Sequence, residues 1–519
     1  MSRSSPSRLL LACAAAGAGT MAIELSAVRL VAPWFGTSQA VWTSAIGAVL
    51  VAMSIGYLLG GKWAARAEPE RRLALCLWIS AAWAAALPAL APFIASVFVP
   101  ESASLELVAT ALPVSSLACA LVLFLPPAAL LATAGPIVVE LLVRSKTITA
   151  GASGGQVLAV STMGSLFGTF GTTYVGVPTF GLTGTLWITA AVIAAAALLC
   201  SSSVRHHQAA VLLLGGFLVS SGSGQTLADD VLAVEESPYQ RVRVVEQANG
   251  WRALEVNERR GSFQSIWRPE PGLLGPGYYY DAFALPAHWS DVSEDWSTLV
   301  LGLGSGTAWR VIEGALPAGV SFRAMGVELD PVVTALAREF MELEDSGPHR
   351  RTLSGWDARA ALGPLALSGE KWDQIIVDVY ANQVEIPPHL ATVEFYSAVK
   401  GLLAPGGWLQ VNVGASGADD PLARAIGGSL GLAFGGPSLA LEVPFSRNVI
   451  LVQRLGQGLM LPGDEGFLPS SVELRDLAER MRVPGAWGLI EPGAERALHD
   501  GDAPLEALQR ASLAGMGEL

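Results

Sequence analysis

The sequence predicts a multi-helix transmembrane bundle, then a small antiparallel β segment, then an α/β domain built on a parallel sheet. Three observations support this fold class. Long apolar segments fill the first 200 residues, short alternating runs begin after residue 230, and a buried strand enters a glycine-rich turn near residue 302. We therefore expect a transmembrane domain over 1–222, a small β domain over 230–290 and the α/β domain over 291–519.

Six segments of the first part are long and apolar enough to cross the roughly 30 Å of hydrocarbon in a bilayer. They lie near residues 8–32, 42–61, 73–98, 107–134, 152–176 and 181–200. A seventh segment, 208–221, is shorter, so the sequence leaves open six or seven spans. Pro126 and Pro127 lie in the apolar stretch 105–143, which is too long for one straight crossing.

Charge separates the two halves of the chain. The first 207 residues hold 10 Lys and Arg against 6 Asp and Glu, whereas the remaining 312 hold 22 against 39. The basic residues of the first half cluster in alternate loops, which predicts a multi-pass protein of the inner cell membrane with a cytoplasmic N-terminus. The soluble half lies outside if 208–221 spans and inside if it does not. Its acidic balance disfavours nucleic acid and is compatible with a cationic substrate.

The first apolar segment holds Glu24 and Arg29 and lacks a clear cleavage site, so we expect a retained helix rather than a signal peptide. These two residues either neutralise each other within the bundle or serve transport. All four cysteines lie in apolar segments, and the six histidines show no ligand spacing, so we predict no metal site.

After the small-residue linker Ser220–Gly224, the runs 241–246 and 251–256 alternate as two antiparallel strands do. Beyond Thr298 strands and helices alternate, as expected for a parallel sheet covered on both faces. The strands predicted are Leu299–Leu301, Ala324–Val327, Gln374–Val377 and Trp408–Val413, and the helices lie near Val332–Leu343 and Val393–Leu403.

The glycine-rich turn predicts a nucleoside-binding site of the Rossmann-like type. Gly302, Gly304 and Gly306 follow the first strand, where side chains would hold a ligand off the backbone N–H groups at the helix start. Glu328 ends the next strand, at the spacing from which a carboxylate can accept hydrogen bonds from both ribose hydroxyls.

Several short motifs then occur in an order that resembles spermidine synthases, the polyamine aminopropyltransferases. They are Ser237-Pro238-Tyr239-Gln240, the glycine turn, Val327-Glu328-Leu329-Asp330-Pro331, Trp356-Asp357-Ala358, Trp372-Asp373-Gln374-Ile375-Ile376-Val377-Asp378 and Glu394-Phe395-Tyr396. The membrane half is similar to the multi-spanning segment of bacterial membrane proteins that are fused to such a domain. It carries Ala32-Pro33-Trp34-Phe35-Gly36 and Gly56-Tyr57-Leu58-Leu59-Gly60-Gly61.

The resemblance implies a fold of the S-adenosylmethionine-dependent methyltransferase type. It also implies that Gln240 and Glu328 contact the nucleoside of decarboxylated S-adenosylmethionine, that Asp357 and Ala358 lie at the adenine, and that Asp378 is the general base. The donor is then a substrate with no tightly bound cofactor, the acceptor is an amine or polyamine, and a homodimer is compatible with this interpretation.

The chain departs from the synthases at two acidic positions, where it has Ser305 and Ala381. The segment His499-Asp500-Gly501-Asp502 is one source of replacement carboxylates, and Tyr278–Tyr280 is core, lid or substrate contact. Two other functions therefore stay open beside aminopropyl transfer. One is methyl transfer from S-adenosylmethionine, and the other is a transporter or sensor that binds a nucleoside or polyamine without turnover.

Overall fold

The computed structural model describes residues 5–35, 39–98, 105–145, 149–200, 230–237, 239–256, 265–290, 294–345, 347–380, 385–459, 461 and 472–514. The chain divides into two compact units. The first comprises 1–228 with 236–240 and 257–259, and the second comprises 229–235, 241–256 and 260–519.

The first unit is helical over its described residues up to 200. Its helices are Pro6–Phe35 (α1), Gln39–Ala64 (α2), Pro69–Phe98 (α3), Leu105–Ala132 (α4), Ala134–Arg144 (α5), Ala150–Phe170 (α6) and Val177–Cys200 (α7). A π-helical turn, Gly171–Gly176, joins α6 to α7. Small residues bring α1 and α6 together backbone to backbone. A Cβ at Gly164 would lie 2.0 Å from the carbonyl oxygen of Ala14, and one at Gly168 would lie 2.3 Å from that of Ala18.

Five stretches of the described residues are long and apolar enough to cross a membrane, by length and composition. They are Pro6–Phe35, Gln39–Ala64, Pro69–Phe98, Val114–Arg144 and Ala150–Cys200. The last is 51 residues long and contains two of the predicted spans; Gly181, with φ 66° and ψ 176°, interrupts it where the second was expected to begin. The stretch 105–143 is interrupted at Thr133, and Pro126 and Pro127 lie within α4. Segment 208–221 and the linker Ser220–Gly224 lie outside the described residues.

A four-stranded sheet precedes the α/β part of the chain. Its strands, in spatial order, are Val231–Glu236 (β1), Arg241–Glu246 (β2), Arg252–Val256 (β3) and Ser265–Trp267 (β4). β2 and β3 are antiparallel, with Val244 opposite Leu254. The two predicted strands are thus confirmed, since alternation placed Val242 and Val244 on the buried face.

The second sheet has eight strands in the described residues. They are Asp295–Leu301 (β5), Ser321–Glu328 (β6), Arg350–Ser354 (β7), Trp372–Val377 (β8), Leu403–Val413 (β9), Ser438–Glu442 (β10), Val449–Arg454 (β11) and Trp487–Ile490 (β12). Their spatial order is β12-β10-β11-β9-β8-β5-β6-β7. β5 to β9 are parallel, whereas β11 is antiparallel to β9 and β10 is antiparallel to β11. This is the predicted Rossmann-like α/β fold, and the four predicted strands are confirmed.

Helices cover both faces of this sheet. They are Leu285–Trp289 (α8), Thr307–Ala315 (α9), Pro331–Phe340 (α10), Ala358–Leu367 (α11), Val393–Lys400 (α12), Pro421–Phe434 (α13), Val472–Arg480 (α14) and Leu505–Ala514 (α15). Leu299 and Leu301 pack into the core on one face of the sheet, and Val300 packs into the core on the other face. Both faces of β5 are therefore buried, which explains why these consecutive residues are all apolar. The chain runs outward from β5 in both directions, so ligands are expected at the carboxyl ends of β5 and β8.

Candidate functional site

The glycine turn lies between β5 and α9 and requires glycine at all three positions. Gly302, Gly304 and Gly306 have φ values of 86°, 57° and 84°, in the left-handed region that side chains disfavour. Space is restricted as well: a Cβ at Gly302 would lie 2.1 Å from the carbonyl oxygen of Asp378. We expect these glycines to bring a ligand close to backbone N–H groups, but the N–H groups of Gly302, Gly304 and Gly306 already bond to Val327, Glu328 and Leu303. Gly302 also lets the turn lie against the end of β8.

Glu328 ends β6 and binds the glycine turn directly. Its Oε2 accepts a hydrogen bond from the Gly304 backbone N–H at 2.9 Å, and its Oε1 accepts one from the Asp330 N–H at 3.0 Å. Burial raises the pKa of Glu328, and the backbone donors only partly counter this effect. A carboxylate accepts about four hydrogen bonds, so Glu328 keeps the capacity to accept two hydroxyls.

Asp357 begins α11 as its N-cap residue. Its Oδ1 accepts hydrogen bonds from the N–H groups of Arg359 and Ala360 at 2.9 and 3.1 Å, and its Oδ2 lies 3.0 Å from His389 Nε2. Burial acts to raise the pKa of Asp357, but the His389 and backbone hydrogen bonds outweigh burial and lower it. Asp357 therefore has a structural role on α11, and its contact with adenine, like that of Ala358, stays a prediction.

Asp378 follows β8 and is held from two sides. Asn412 Nδ2 donates to its Oδ1 at 2.8 Å, and the Tyr279 hydroxyl donates to its Oδ2 at 3.0 Å. Burial raises the pKa of Asp378 to about 6, although both hydrogen bonds act to lower it. A carboxylate with this pKa can accept a proton near neutral pH, which is what a general base requires.

Sequence reasoning missed Asn412 and left Tyr279 among three alternatives. A signal for Asn412 was present, because Asn412 and Gln410 are the polar side chains of the mostly apolar strand β9, and Asn412 is only 2% exposed. Buried amides need hydrogen-bond partners, and the other end of this amide has one: Asn448 Nδ2 donates to Asn412 Oδ1 at 2.9 Å. Ser446 Oγ in turn donates to Asn448 Oδ1 at 2.5 Å.

Gln240 lies in the turn after β1 and groups with the first unit. Its backbone N–H donates to Ser237 Oγ at 2.9 Å, and its carbonyl accepts from the Ser237 N–H at 2.8 Å. The predicted contact of Gln240 with a nucleoside stays a prediction.

Ser305 is buried, and its Oγ lies 3.4 Å from Thr307 Oγ1, so this position presents no charge. Ala381 lies outside the described residues.

The acidic residues near the C-terminus pair with arginines instead of joining Asp378. Asp500 binds Arg359 of α11, and Asp502 binds Arg496 at 2.7 Å. His499 Nδ1 lies 2.8 Å from Glu394. The segment 499–502 therefore offers no replacement carboxylate next to Asp378 in this structure.

A cavity of about 240 Å³ lies beside the Tyr278–Tyr280 segment. Asp281 in its wall is buried, and its carboxylate accepts hydrogen bonds from the N–H groups of Leu274 and Gly275 at 2.7 and 2.8 Å. Burial raises the pKa of Asp281 to about 6. Val443 and Pro444 line the cavity from the turn that follows β10.

No family model matches the chain. It is 33% identical over 187 residues to a probable polyamine aminopropyl transferase of Bifidobacterium longum, a match that covers 36% of this chain and 39% of the relative. It is 30% identical over 199 residues to the polyamine aminopropyltransferase of Mycobacterium tuberculosis, covering 38% and 35%. The chain thus spans less than two-fifths of the length of these relatives, and the similarity lies in its C-terminal part.

Two solved structures are also similar. One is a probable spermidine synthase from Corynebacterium glutamicum, with 19% identity and a TM-score of 0.40 over 51% of this chain and 95% of that one. The other is the spermidine synthase of Thermotoga maritima, with 17% identity and a TM-score of 0.34 over 44% and 73%.

Proposed function

We propose that this protein is a membrane-anchored aminopropyltransferase-like enzyme. It moves an aminopropyl group from decarboxylated S-adenosylmethionine to an amine. The observation that carries the proposal is the place of Asp378, held between Tyr279 and Asn412 at the end of β8 and in contact with the glycine turn. The names of the relatives support the same reaction class for the C-terminal part of the chain.

Aminopropyl transfer needs a base, and the Asp378 carboxylate can serve as one. An amine is protonated at neutral pH and must lose a proton before its nitrogen attacks the carbon beside the donor's sulfonium. The new C–N bond forms as the C–S bond breaks, the electron pair stays on sulfur, and the proton passes to the Asp378 carboxylate. Because the sulfonium is already an activated leaving group, positioning and charge supply most of the remaining acceleration.

The donor pocket in this proposal lies at the ends of β5, β6 and β7. The glycine turn, which has no side chains at three positions, lets the nucleoside approach its backbone, and Glu328, already bound to Gly304, accepts the ribose hydroxyls. Asp357 and Ala358 at the start of α11 are proposed to contact the adenine.

One observation favours a second candidate, methyl transfer from S-adenosylmethionine. Ser305 places an uncharged hydroxyl, bonded to Thr307, where the synthases carry an acidic residue. An uncharged residue at this position does not repel the carboxylate of S-adenosylmethionine, so it does not select the decarboxylated donor. The fold supports either reaction.

The products separate these candidates. The full chain, purified in detergent, is incubated with each donor and a panel of amines, and products are identified by mass spectrometry. Methylthioadenosine indicates aminopropyl transfer, and S-adenosylhomocysteine indicates methyl transfer. Donor binding without either product would contradict both and support the transporter or sensor alternative.

The bundle is proposed to anchor the enzyme as a multi-pass protein of the inner membrane, on the strength of its five apolar stretches. The protein should stay in the membrane fraction after alkaline extraction. Because S-adenosyl donors are made in the cytoplasm, a reporter fused after Gly224 should report a cytoplasmic α/β domain. A signal confined to the periplasm would count against both transferase candidates.

A further inference from the structure

Arg447 lies in the turn between β10 and β11 and has hydrogen-bonding groups without acceptors. Its Nε and Nη2 are shielded from solvent and bond to no described residue. A guanidinium is always charged and presents a planar fork of donors that matches a carboxylate. Buried charged donors are rarely left unmatched, so this pair of nitrogens indicates an anionic ligand.

The acidic residue that acts on Arg447 does not take up these donors. Asp420 counters the effect of burial, which lowers the pKa of Arg447. However, the Asp420 carboxylate already accepts four hydrogen bonds, about all that a carboxylate can accept. They come from Ser416 N–H at 3.1 Å, Ser416 Oγ at 3.0 Å, Ser512 Oγ at 2.6 Å and Leu422 N–H at 2.9 Å. Asp420 thus favours the charge of Arg447 without binding its nitrogens.

The turn that carries Arg447 is connected to Asp378. The next residue, Asn448, donates to Asn412, and Asn412 donates to Asp378. Two side-chain hydrogen bonds therefore join the turn to the proposed general base.

The sheet order decides which substrate the turn can meet. The glycine turn, Glu328 and Asp357 follow β5, β6 and β7, on one side of β8. Arg447 precedes β11, on the other side of β8 beyond β9. A donor nucleoside on the first side leaves the second side to the acceptor.

The same turn holds a strained aromatic residue. Phe445 has φ 63°, a left-handed value that is unusual for a bulky residue, and its side chain is 85% exposed. Strain of this kind concentrates at ligand-binding turns, where the surrounding structure enforces it.

We propose that Arg447 binds a carboxylate of the acceptor, so that the acceptor is an amine that also carries a carboxylate, of the basic amino acid type. This inference rests on the proposed function and specifies its acceptor. The guanidinium takes no part in bond making. It positions the acceptor so that a free amine nitrogen reaches the donor carbon, while Asp378 takes the proton.

The test uses acceptor pairs that differ only in the carboxylate: ornithine against putrescine, and lysine against cadaverine. The full chain in detergent is assayed with decarboxylated S-adenosylmethionine. Wild type should favour the carboxylated member of each pair in kcat/KM. Arg447→Gln should lower kcat/KM for that member by about 10- to 100-fold and change the diamine by less than about threefold. Arg447→Lys, which keeps the charge but loses the fork, should fall between them.

Two controls guard against a structural explanation. Arg475→Gln removes an exposed arginine of α14 and should leave both acceptors unchanged. Arg447→Gln should melt at the same temperature as wild type or higher, because it removes a half-buried charge whose Nε and Nη2 have no bonded partner. If the Gln variant does not fold, Arg447→Lys alone still decides, since it should lower the ratio of carboxylated to plain acceptor.

Three results would overturn the proposal. Equal losses for both members of a pair would show that Arg447 does not sense the carboxylate. A preference of wild type for the diamines would exclude a carboxylated acceptor. Weaker binding of S-adenosylmethionine, but not of its decarboxylated form, to Arg447→Gln would assign the carboxylate to the donor instead.

The proposed function can fail separately. If wild type forms no methylthioadenosine with any amine, calorimetry of ornithine and putrescine binding in the presence of methylthioadenosine still tests Arg447. Ornithine binding that Arg447→Gln weakens about 10-fold or more would support the carboxylate site without turnover. Ornithine binding that is unchanged in Arg447→Gln would exclude a carboxylate site at Arg447.

Discussion

The two sides of β8 are built differently. On the side of β5 to β7, the proposed donor side, the glycine turn and one carboxylate lie together: Gly304 donates to Glu328, and the turn requires glycine. On the side of β9 and β11, the proposed acceptor side, side chains are linked instead: Asn448 donates to Asn412, and Asn412 donates to Asp378. The first side suits a nucleoside that is the same in every donor. The second side consists of side chains, which can differ between enzymes that use different acceptors.

This difference determines how each side responds to substitution. The donor side depends on glycines and carboxylates, so it should be vulnerable at those two kinds of residue. The acceptor side consists of replaceable side chains, and each should affect turnover more than donor binding. Substitutions on the two sides can therefore test whether the division is real.

The largest expected effect is at Asp378, where the two sides meet. Asp378→Asn keeps the size of the side chain but removes the basic oxygen and the charge that attracts an ammonium. Turnover should fall by roughly 10²- to 10⁴-fold with donor affinity nearly unchanged, as measured by initial rates and calorimetry.

Equal turnover in a folded Asp378→Asn protein would remove Asp378 as the base. A parallel loss of donor affinity would show that Asp378 also binds the donor, and would contradict the division of roles between the two sides. Asp373→Asn provides a matched control, because its carboxylate binds Ser297 at the other end of β8.

The second effect concerns the donor side. Glu328→Ala removes the acceptor of the Gly304 N–H and of the expected ribose hydroxyls, so nucleoside binding should weaken by about 1.5 to 3 kcal/mol. Calorimetry with methylthioadenosine measures this, and Glu270→Ala, an exposed position, serves as control. Unchanged affinity in a folded variant would exclude Glu328 from the pocket.

Most of the parallel sheet and the glycine turn could be predicted because their signals are local. The run Leu299-Val300-Leu301 and the three glycines report a buried strand and a left-handed turn within a dozen residues. Glu328 follows at a spacing set by one strand–helix–strand unit. Helix ends were less certain: the helix predicted to reach Leu343 ends at Phe340, since Glu342 adopts a left-handed φ of 53°.

The side-chain contacts around Asp378 could not be predicted because the partners are far apart in sequence. Tyr279 and Asp378 are 99 positions apart, and Asn412 and Asn448 are 36 apart. Only the tertiary fold brings these residues together, and no spacing rule encodes it. Arg447 gave no sequence signal, because a single arginine in a turn is ordinarily solvated.

The third effect tests the hydrogen bonds on Asp378 through pH. Below the pKa of Asp378 the carboxyl is protonated and cannot act as base, so kcat/KM should fall on the acidic side of about pH 6. The Tyr279 hydrogen bond lowers this pKa, so Tyr279→Phe should raise it and move the acidic limb to higher pH by about 0.5 to 1 pH unit. The control Tyr239→Phe alters an exposed tyrosine and should leave the limb in place. A shift toward lower pH would contradict the assignment.

The smallest effect separates two roles of Asp357. As the N-cap of α11, Asp357 should contribute about 1 kcal/mol to the free energy of unfolding, which Asp357→Ala removes. His389→Ala deletes the half-exposed partner of Asp357 but keeps the cap, so it should change stability by at most about 0.5 kcal/mol. If Asp357 also contacts adenine, Asp357→Ala weakens methylthioadenosine binding and His389→Ala does not. Stability loss without any loss of affinity would reduce Asp357 to a helix cap, and the donor side would then rest on the glycine turn and Glu328.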